Sequence, residues 1–419
     1  MRKCAALLMV LLIVAGAAFA QIPDGFSVGG WGRADFVPFQ GVFPDGGDAK
    51  YYTGTGSGWG AGYTGLNFQF NAVDGRIGGQ FELGTNGNVE PTVGDNLHIW
   101  VKPFGSDILY LKVGKFRDGR FRGPGTDNPF QLFIGGPGKN GDAVFQRFAP
   151  DGGALFISQP VAGLSIYAQL NPGATINGIG PALNPGAEAN DVYKSIQTGI
   201  AYNISGIGLA RAQYVGNIGG IEGTVISSTT FTGITPNDAR IEAAFNLTAV
   251  PGLNLDLGIK LPLPVEKDTG LGFDVTYQGN FQANVAGSYT SGDFGLTYGL
   301  YAGFGGSLAT DISGDKRSDL RPTFNIILTP SFYVAAIDAT LGLDAGFKVV
   351  GDGDVTLDGG ALVNGEESTT FGFGAWVSRN LGKGSIKTGL AYQFPTYGDN
   401  GTTGKTAYLS VPVILEISF

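Results

Sequence analysis

Four basic residues and one acidic residue fall close together in a glycine-rich part of the sequence; they are Lys115, Arg117, Asp118, Arg120 and Arg122. Clustered ammonium and guanidinium groups attract anions, and they do so more strongly where water is scarce because the local dielectric is lower. This composition predicts either a group that attracts anions or an ordinary basic surface loop. The residue types alone leave both interpretations open.

A second group of charged residues lies at alternate positions of the stretch 239–261, with apolar residues between them. The group comprises Arg240, Glu242, Asp256 and Lys260. A period of two is that of a β-strand, so each strand here has one apolar and one charged face. Charged groups in mid-strand need water, so we expect these four side chains to line a wet lumen while the apolar face meets lipid. Leu255→Arg should then be costly, and Asp256→Asn should be tolerated.

Other residues with catalytic or ligand-binding potential lack the surroundings that their chemistry requires. His98 is the single histidine, so a metal site or a catalytic relay would rest on it alone. The segment 136–141 matches G-x-G-x-x-G by letter, but no strand–turn–helix surrounds it. Three aspartates at 352–358 lack the spacing and the closing glutamate of a calcium loop. The sequence therefore predicts no catalytic residue, no metal and no cofactor, and a protein that is not an enzyme.

The elements that must position these residues are strands, because the same alternation recurs along most of the chain. Tight-turn signals punctuate it at 74–75, 103–107, 161–164, 204–207, 250–253, 291–293, 334–337 and 380–384. Longer polar, glycine-rich stretches lie between these turns, at 38–61, 85–95, 117–142, 171–193, 217–238, 262–270, 305–319, 350–368 and 395–404. The pattern predicts an all-β, transmembrane, antiparallel up-and-down β-barrel of about 18 strands (range about 16–18), with short periplasmic turns and long outer loops.

A soluble secreted β-protein made of several sandwiches is the alternative to a barrel. A single core stops growing near about 250–300 residues, and no linker divides this 419-residue chain into smaller units. A closed barrel needs no such core, since lipid covers its apolar face. Only 15 % of the residues are charged and 72 are glycine, which suits curved, closely packed strands.

The amino terminus has the three parts of a secretory signal. Arg2 and Lys3 precede an apolar run, and Ala18-Phe19-Ala20 forms a cleavage site, although a membrane anchor helix is the alternative. The predicted division is a signal peptide at 1–20 and a barrel at 21–419. Loss of the two basic residues would leave 24 basic against 35 acidic residues, a net charge of −11, which argues against nucleic acid as a partner.

The last strand alternates regularly from Ala407 and ends at Phe419. It resembles the C-terminal signal of outer-membrane proteins, which implies recognition by the barrel-assembly machinery. Pro412 interrupts it, and we expect a bulge or an unpaired donor there. The segment 109–116 resembles the porin strand that leads into the third outer loop, which in porins folds inward. That resemblance implies that Lys115, Arg117, Arg120 and Arg122 stand at the pore constriction, and it extends to assembly as a homotrimer.

Together these features predict a porin in the outer membrane of a diderm bacterium, embedded in outer-membrane lipid and passing small polar solutes by diffusion. The alternative is a structural or adhesive barrel that binds through its outer loops. The constriction residues favour anions. The competing prediction is a cation preference set by wall carboxylates, which are Glu82, Glu242, Asp256 and Asp344.

Overall fold

The structure is a computed structural model in which strands account for most of the described chain. It describes residues 25–44, 46–55, 63–71, 75–86, 92–116, 153–170, 196–216, 224–227, 230–232, 239–263, 265–268, 274–310, 316–318, 321–351, 353–358, 361–365, 368–397 and 405–418. The predicted signal segment and Phe419 lie outside these ranges. Within the described parts of the chain, no helix has the length and apolar character needed to span a bilayer.

The strands follow the predicted alternation. They are β1 (Phe26–Pro44), β2 (Lys50–Thr55), β3 (Tyr63–Asn71), β4 (Ile77–Asn86), β5 (Thr92–Val101), β6 (Tyr110–Lys115), β7 (Gly153–Val161), β8 (Leu164–Leu170), β9 (Ile196–Ile204), β10 (Gly208–Val215), β11 (Thr224–Ser227), β12 (Thr230–Thr232), β13 (Arg240–Leu247), β14 (Leu253–Pro262), β15 (Val265–Asp268), β16 (Asp274–Ser291), β17 (Phe294–Thr310), β18 (Lys316–Ser318), β19 (Arg321–Val334), β20 (Ala339–Val350), β21 (Gly353–Asp358), β22 (Ala361–Gly365), β23 (Ser368–Asn380), β24 (Gly384–Tyr397) and β25 (Lys405–Ser418). A single turn of 3-10 helix, Ala335–Ile337, joins β19 to β20.

Twenty-one of these strands form one antiparallel sheet that closes where β25 pairs with β1. Three positions around the barrel are filled by two strands each: β2 and β3 both pair with β1, β14 and β15 with β16, and β18 and β19 with β17. Counting each such pair as one stave gives a closed barrel of 18 staves, numbered here in chain order. The predicted fold class and strand number are confirmed.

The eight short turns lie where the sequence predicted them, all at one end of the barrel. Two of them are two-residue turns, in which Val161 pairs with Leu164 and Ser291 pairs with Phe294. Gly252 has φ 76° in its turn, and Asp338 adopts the left-handed region at φ 48°. Because glycine reaches positive φ without a steric cost, a glycine-rich sequence supports this series of tight turns.

Several stretches predicted as outer loops contain strands, and this part of the prediction is wrong. β1 extends into 38–61 and β2 lies within it; β15 lies within 262–270; β17 extends into 305–319 and β18 lies within it. Alternation identifies a strand only where one face meets lipid. Above the bilayer both faces of the wall meet water, so a strand there carries no apolar periodicity for the sequence to show.

Exposure alternates along the staves in the reverse of a soluble protein. Asp256 is 1 % exposed and its neighbour Leu257 is 41 % exposed; Asp344 is 0 % exposed and Leu343 is 44 % exposed. Large apolar side chains on the outside and charged ones on the inside are stable only when lipid covers the outer face. The molecule is therefore a transmembrane barrel of the outer-membrane type.

Pro412 lies at an irregularity, as predicted. The register between β1 and β25 shifts between Phe36 and Phe39, opposite Val411 to Val413. Pro38 lies in the shifted part of β1 and Pro412 in the facing part of β25, so both prolines lie where the ladder is interrupted. Because proline has no N–H to donate, a bulge at this position avoids a missing ladder hydrogen bond.

Candidate functional site: the inner wall of the barrel

The four predicted wall residues share one face of β13 and β14. The guanidinium of Arg240 donates from Nε to Glu242 Oε1 at 2.6 Å. Glu242 lies directly opposite Lys260 in the register. Asp256 is on the same face of β14, because it is an even number of residues from Lys260. The structure thus brings Arg240, Glu242, Asp256 and Lys260 together on the inner side of staves 10 and 11.

Asp256 is held by a residue that the sequence did not single out. Arg211, on stave 9, donates from Nη2 to Asp256 Oδ1 on stave 11, and each side chain is 1 % exposed. On stave 10, which lies between them, Ala244 is opposite Arg211 and Asn246 is opposite Asp256. A small residue on the middle stave lets the guanidinium cross it. This pairing changes the expectation for Asp256→Asn, because removing one member of a buried ion pair is destabilising.

The same arrangement recurs one level higher. Tyr167, on stave 7, crosses Gly199 and donates from Oη to Gln213 Oε1 on stave 9 at 2.5 Å. Gln197 donates to the same oxygen at 3.2 Å. Gln213 in turn donates from Nε2 to Glu242 Oε2. The hydrogen bonds therefore run in one direction, toward the Glu242 carboxylate.

Staves on the far side of the wall carry a second polar group. Trp376 donates from Nε1 to Asp344 Oδ1 at 3.0 Å, and the Lys387 ammonium lies 5.6 Å from the Trp376 ring. At the seam where the barrel closes, Arg33 Nη1 lies 3.2 Å from Glu416 Oε1. Charges of both signs are thus distributed around the wall, with each of these carboxylates close to a donor.

The strand that precedes the predicted constriction carries aromatic and basic side chains on its inner face. The Lys112 ammonium lies 5.2 Å from the Phe116 ring, and the rings of His98 and Phe116 meet edge to face at 6.0 Å. Lower on the wall, Trp100 stacks on Tyr110 at 5.9 Å. His98 therefore lies in an aromatic and cationic environment on the inner wall.

The predicted constriction is only partly within the described residues. Arg117, Arg120 and Arg122 lie outside them. Lys115 is opposite Leu97, which is 47 % exposed on the outer face, whereas its neighbour Phe116 is fully buried. The register therefore argues against Lys115 as a pore-lining cation, because alternation puts it on the face opposite Phe116.

Four aromatic rings on the inner face are opposite glycines on neighbouring staves. The four pairs are Trp31 with Gly65, Trp100 with Gly78, Tyr167 with Gly199, and Trp376 with Gly342. A methyl group added at Gly65 would lie 2.7 Å from Trp31 Nε1, so the ring occupies the space that a side chain would fill. Each ring can consequently lie against the wall instead of projecting toward the barrel axis.

Metal binding finds no support on this wall. Among the residues that the structure describes, no group of three or more His, Cys, Asp or Glu side chains could hold a metal ion. What the wall offers is a set of fixed hydrogen-bonding groups and charges that face the interior of the barrel.

Neither a family model nor a curated protein matches the chain. Solved barrels do resemble it. An anion-selective porin from Comamonas acidovorans aligns at 14 % identity with a TM-score of 0.45, covering 94 % of this chain and 100 % of that one. The outer membrane channel DcaP of Acinetobacter baumannii aligns at 10 % identity and a TM-score of 0.47, covering 94 % and 97 %. OpdL of Pseudomonas aeruginosa aligns at 11 % identity and 0.46, covering 94 % and 98 %. At these identities and scores the likenesses say nothing about solute or mechanism.

Sequence reasoning missed Arg211, Gln213 and Tyr167 as wall residues. The signal was present for the first two, since Arg211 and Gln213 alternate with alanines along β10. Applying the period-two rule to 208–215, as it was applied to 239–261, identifies both as members of the polar face. The pairings of Arg211 with Asp256 and of Tyr167 with Gln213 could not be identified in this way, because both cross an intervening stave.

Proposed function

We propose that this chain is an outer-membrane channel through which small polar solutes diffuse, and not an enzyme. The observation that carries the proposal is the inside-out distribution of side chains on a closed 18-stave barrel. Barrels of about 16–18 strands are wide enough to enclose an aqueous passage. Arg240, Glu242, Asp256 and Lys260 would line that passage, since all four lie on the inner face.

The proposed ion preference is for anions. Its main source would be Arg117, Arg120 and Arg122 at the start of the third outer connection. The wall carboxylates oppose it less than their number implies, because Glu242 and Asp256 are bound to Arg240 and Arg211. A paired carboxylate contributes little field at the distance of a passing ion, since the partner's charge cancels most of it.

Conductance in a planar bilayer tests the channel proposal. The purified, folded barrel should open ohmic channels in potassium chloride, and a salt gradient should give a reversal potential of the sign expected for an anion preference. A folded barrel that never conducts would refute diffusion through the lumen. A reversal potential of the opposite sign would refute the anion preference without contradicting the proposal that the barrel is a channel.

An adhesive barrel is the second candidate, and one observation favours it. Separately from the barrel sheet, a four-stranded sheet is formed by β11, β12, β22 and β21, in which β11 and β21 are the edge strands. An edge strand offers backbone groups to an added strand of a partner. Surface binding by cells that carry a barrel unable to conduct would favour this candidate over the channel.

A further inference from the structure

Two outer connections, far apart on the rim, share one sheet. The connection from β10 to β13 carries the hairpin β11–β12, and the connection from β20 to β23 carries the hairpin β21–β22. The hairpins join where Thr230 pairs with Ala361. We call these four strands the strap.

The two connections that carry the strap leave the barrel at different positions around its outer mouth. One connection leaves staves 9 and 10, and the other leaves staves 15 and 16, so they are a third of the circumference apart. With strands about 4.8 Å apart and tilted by about 40°, the barrel radius is about 18 Å. The two connections are then roughly 30 Å apart across the mouth. β21 also lies against β18, at the top of stave 14. The strap thus extends from the wall at stave 14 toward staves 9 and 10.

We propose that the strap crosses part of the outer mouth and limits the size of the solutes that enter the lumen. This inference rests on the proposed channel function and deepens it. It assigns size selection to the mouth, separately from any ion preference set deeper in the passage.

The strap has a weak point at its centre. Within each hairpin several residue pairs hold the strands together, such as Val225 with Phe231 and Leu357 with Leu362. Between the hairpins a single residue pair, Thr230 with Ala361, makes the connection within the described residues. Each hairpin is therefore more strongly paired than the junction between the hairpins. In this proposal, larger solutes enter when the pair Thr230–Ala361 separates.

A disulfide across the junction tests the proposal. Directly opposed residues on antiparallel strands are close enough for a disulfide with small adjustments, so Thr230→Cys/Ala361→Cys should cross-link under mild oxidation. The sequence has one cysteine, Cys4, in the predicted signal segment, so competing disulfides are few. The matched control is Val225→Cys/Phe231→Cys, which staples one hairpin and leaves the junction free.

Both variants are reconstituted into liposomes, and swelling rates are measured with a monosaccharide and a trisaccharide before and after reduction. We expect oxidation of the junction variant to slow trisaccharide entry several-fold, with little change for the monosaccharide, and reduction to restore it. The control disulfide should change neither rate.

Two results would refute the proposal that the strap limits solute size. One is equal trisaccharide entry in the oxidised and reduced junction variant. The other is failure of the junction pair to cross-link while the control pair does, which would mean that the hairpins do not meet. If the reduced protein passes neither sugar nor ions, the channel proposal itself fails, and this result is distinct from the other two.

Discussion

Replacing Asp256 by Asn removes the negative charge that opposes the buried guanidinium of Arg211. Both side chains are 1 % exposed, so water cannot take over the role of the carboxylate without a rearrangement of the wall. Removing one member of a buried ion pair costs about 3–5 kcal/mol. The asparagine oxygen still accepts a hydrogen bond, so we expect a loss of about 3 kcal/mol in the free energy of unfolding, at the low end of that range.

The double variant Arg211→Gln/Asp256→Asn isolates the pairing. It removes both charges and keeps two polar groups of similar size, so its stability should lie within about 1–2 kcal/mol of the unchanged protein. The free energy of unfolding is measured for all four proteins by urea titration in lipid vesicles, with tryptophan fluorescence as the signal. The coupling energy from this double-mutant cycle should be at least about 2 kcal/mol.

The reasoning fails if Asp256→Asn costs less than about 1 kcal/mol and the coupling energy is near zero. Such a result would mean that lumen water screens the two groups like an exposed pair. The original expectation, that a charged wall residue is replaceable because it faces water, would then be the correct one. The cycle therefore shows whether lumen water screens Arg211 and Asp256 or whether they form a buried ion pair that stabilises the barrel.

Three further outcomes follow from the same architecture. Leu257→Arg should cost about 2–4 kcal/mol if it lies near the bilayer midplane, whereas Asn254→Arg on the inner face of the same strand should insert normally, as measured by folding into vesicles. Deletion of Phe419 should reduce the amount of barrel at the cell surface and leave degraded protein in the periplasm, visible by fractionation and blotting; unchanged surface levels would contradict the assembly role. Arg120→Ala/Arg122→Ala should lower the anion preference measured from reversal potentials, and an unaltered potential would exclude these residues from the narrowest part of the path.

The barrel could be predicted from the sequence because lipid imposes a period of two on each stave. The turn at 250–253 and the alternation on either side of it fixed one hairpin, and repetition of that pattern gave the number of staves. The upper parts of the strands, such as β15, could not be predicted. There the wall meets water on both faces, and no alternation distinguishes a strand from a loop.

The polar contacts of the wall were beyond sequence reasoning for a different reason. Arg211 and Asp256 are 45 residues apart, and they meet because the register of three staves brings Asp256 within two residues of the row that contains Arg211 and Ala244. Ala244, opposite Arg211 on the middle stave, leaves room for the guanidinium to cross. A sequence shows the charge and the alanine, but not which level of the wall each one reaches.

The pairing of four inward rings with glycines separates the bore of the proposed channel from the circumference of the barrel. The number of staves fixes the circumference, but the free space inside depends on how flat the rings lie. A substitution at Gly342 that adds a side chain would push the Trp376 indole toward the axis, while loss of the indole would leave a recess in the wall. A barrel of constant stave number can thus acquire a new profile of admitted solutes through single changes at a few wall positions, without altering its strand pairing, its turns or its fit to the membrane.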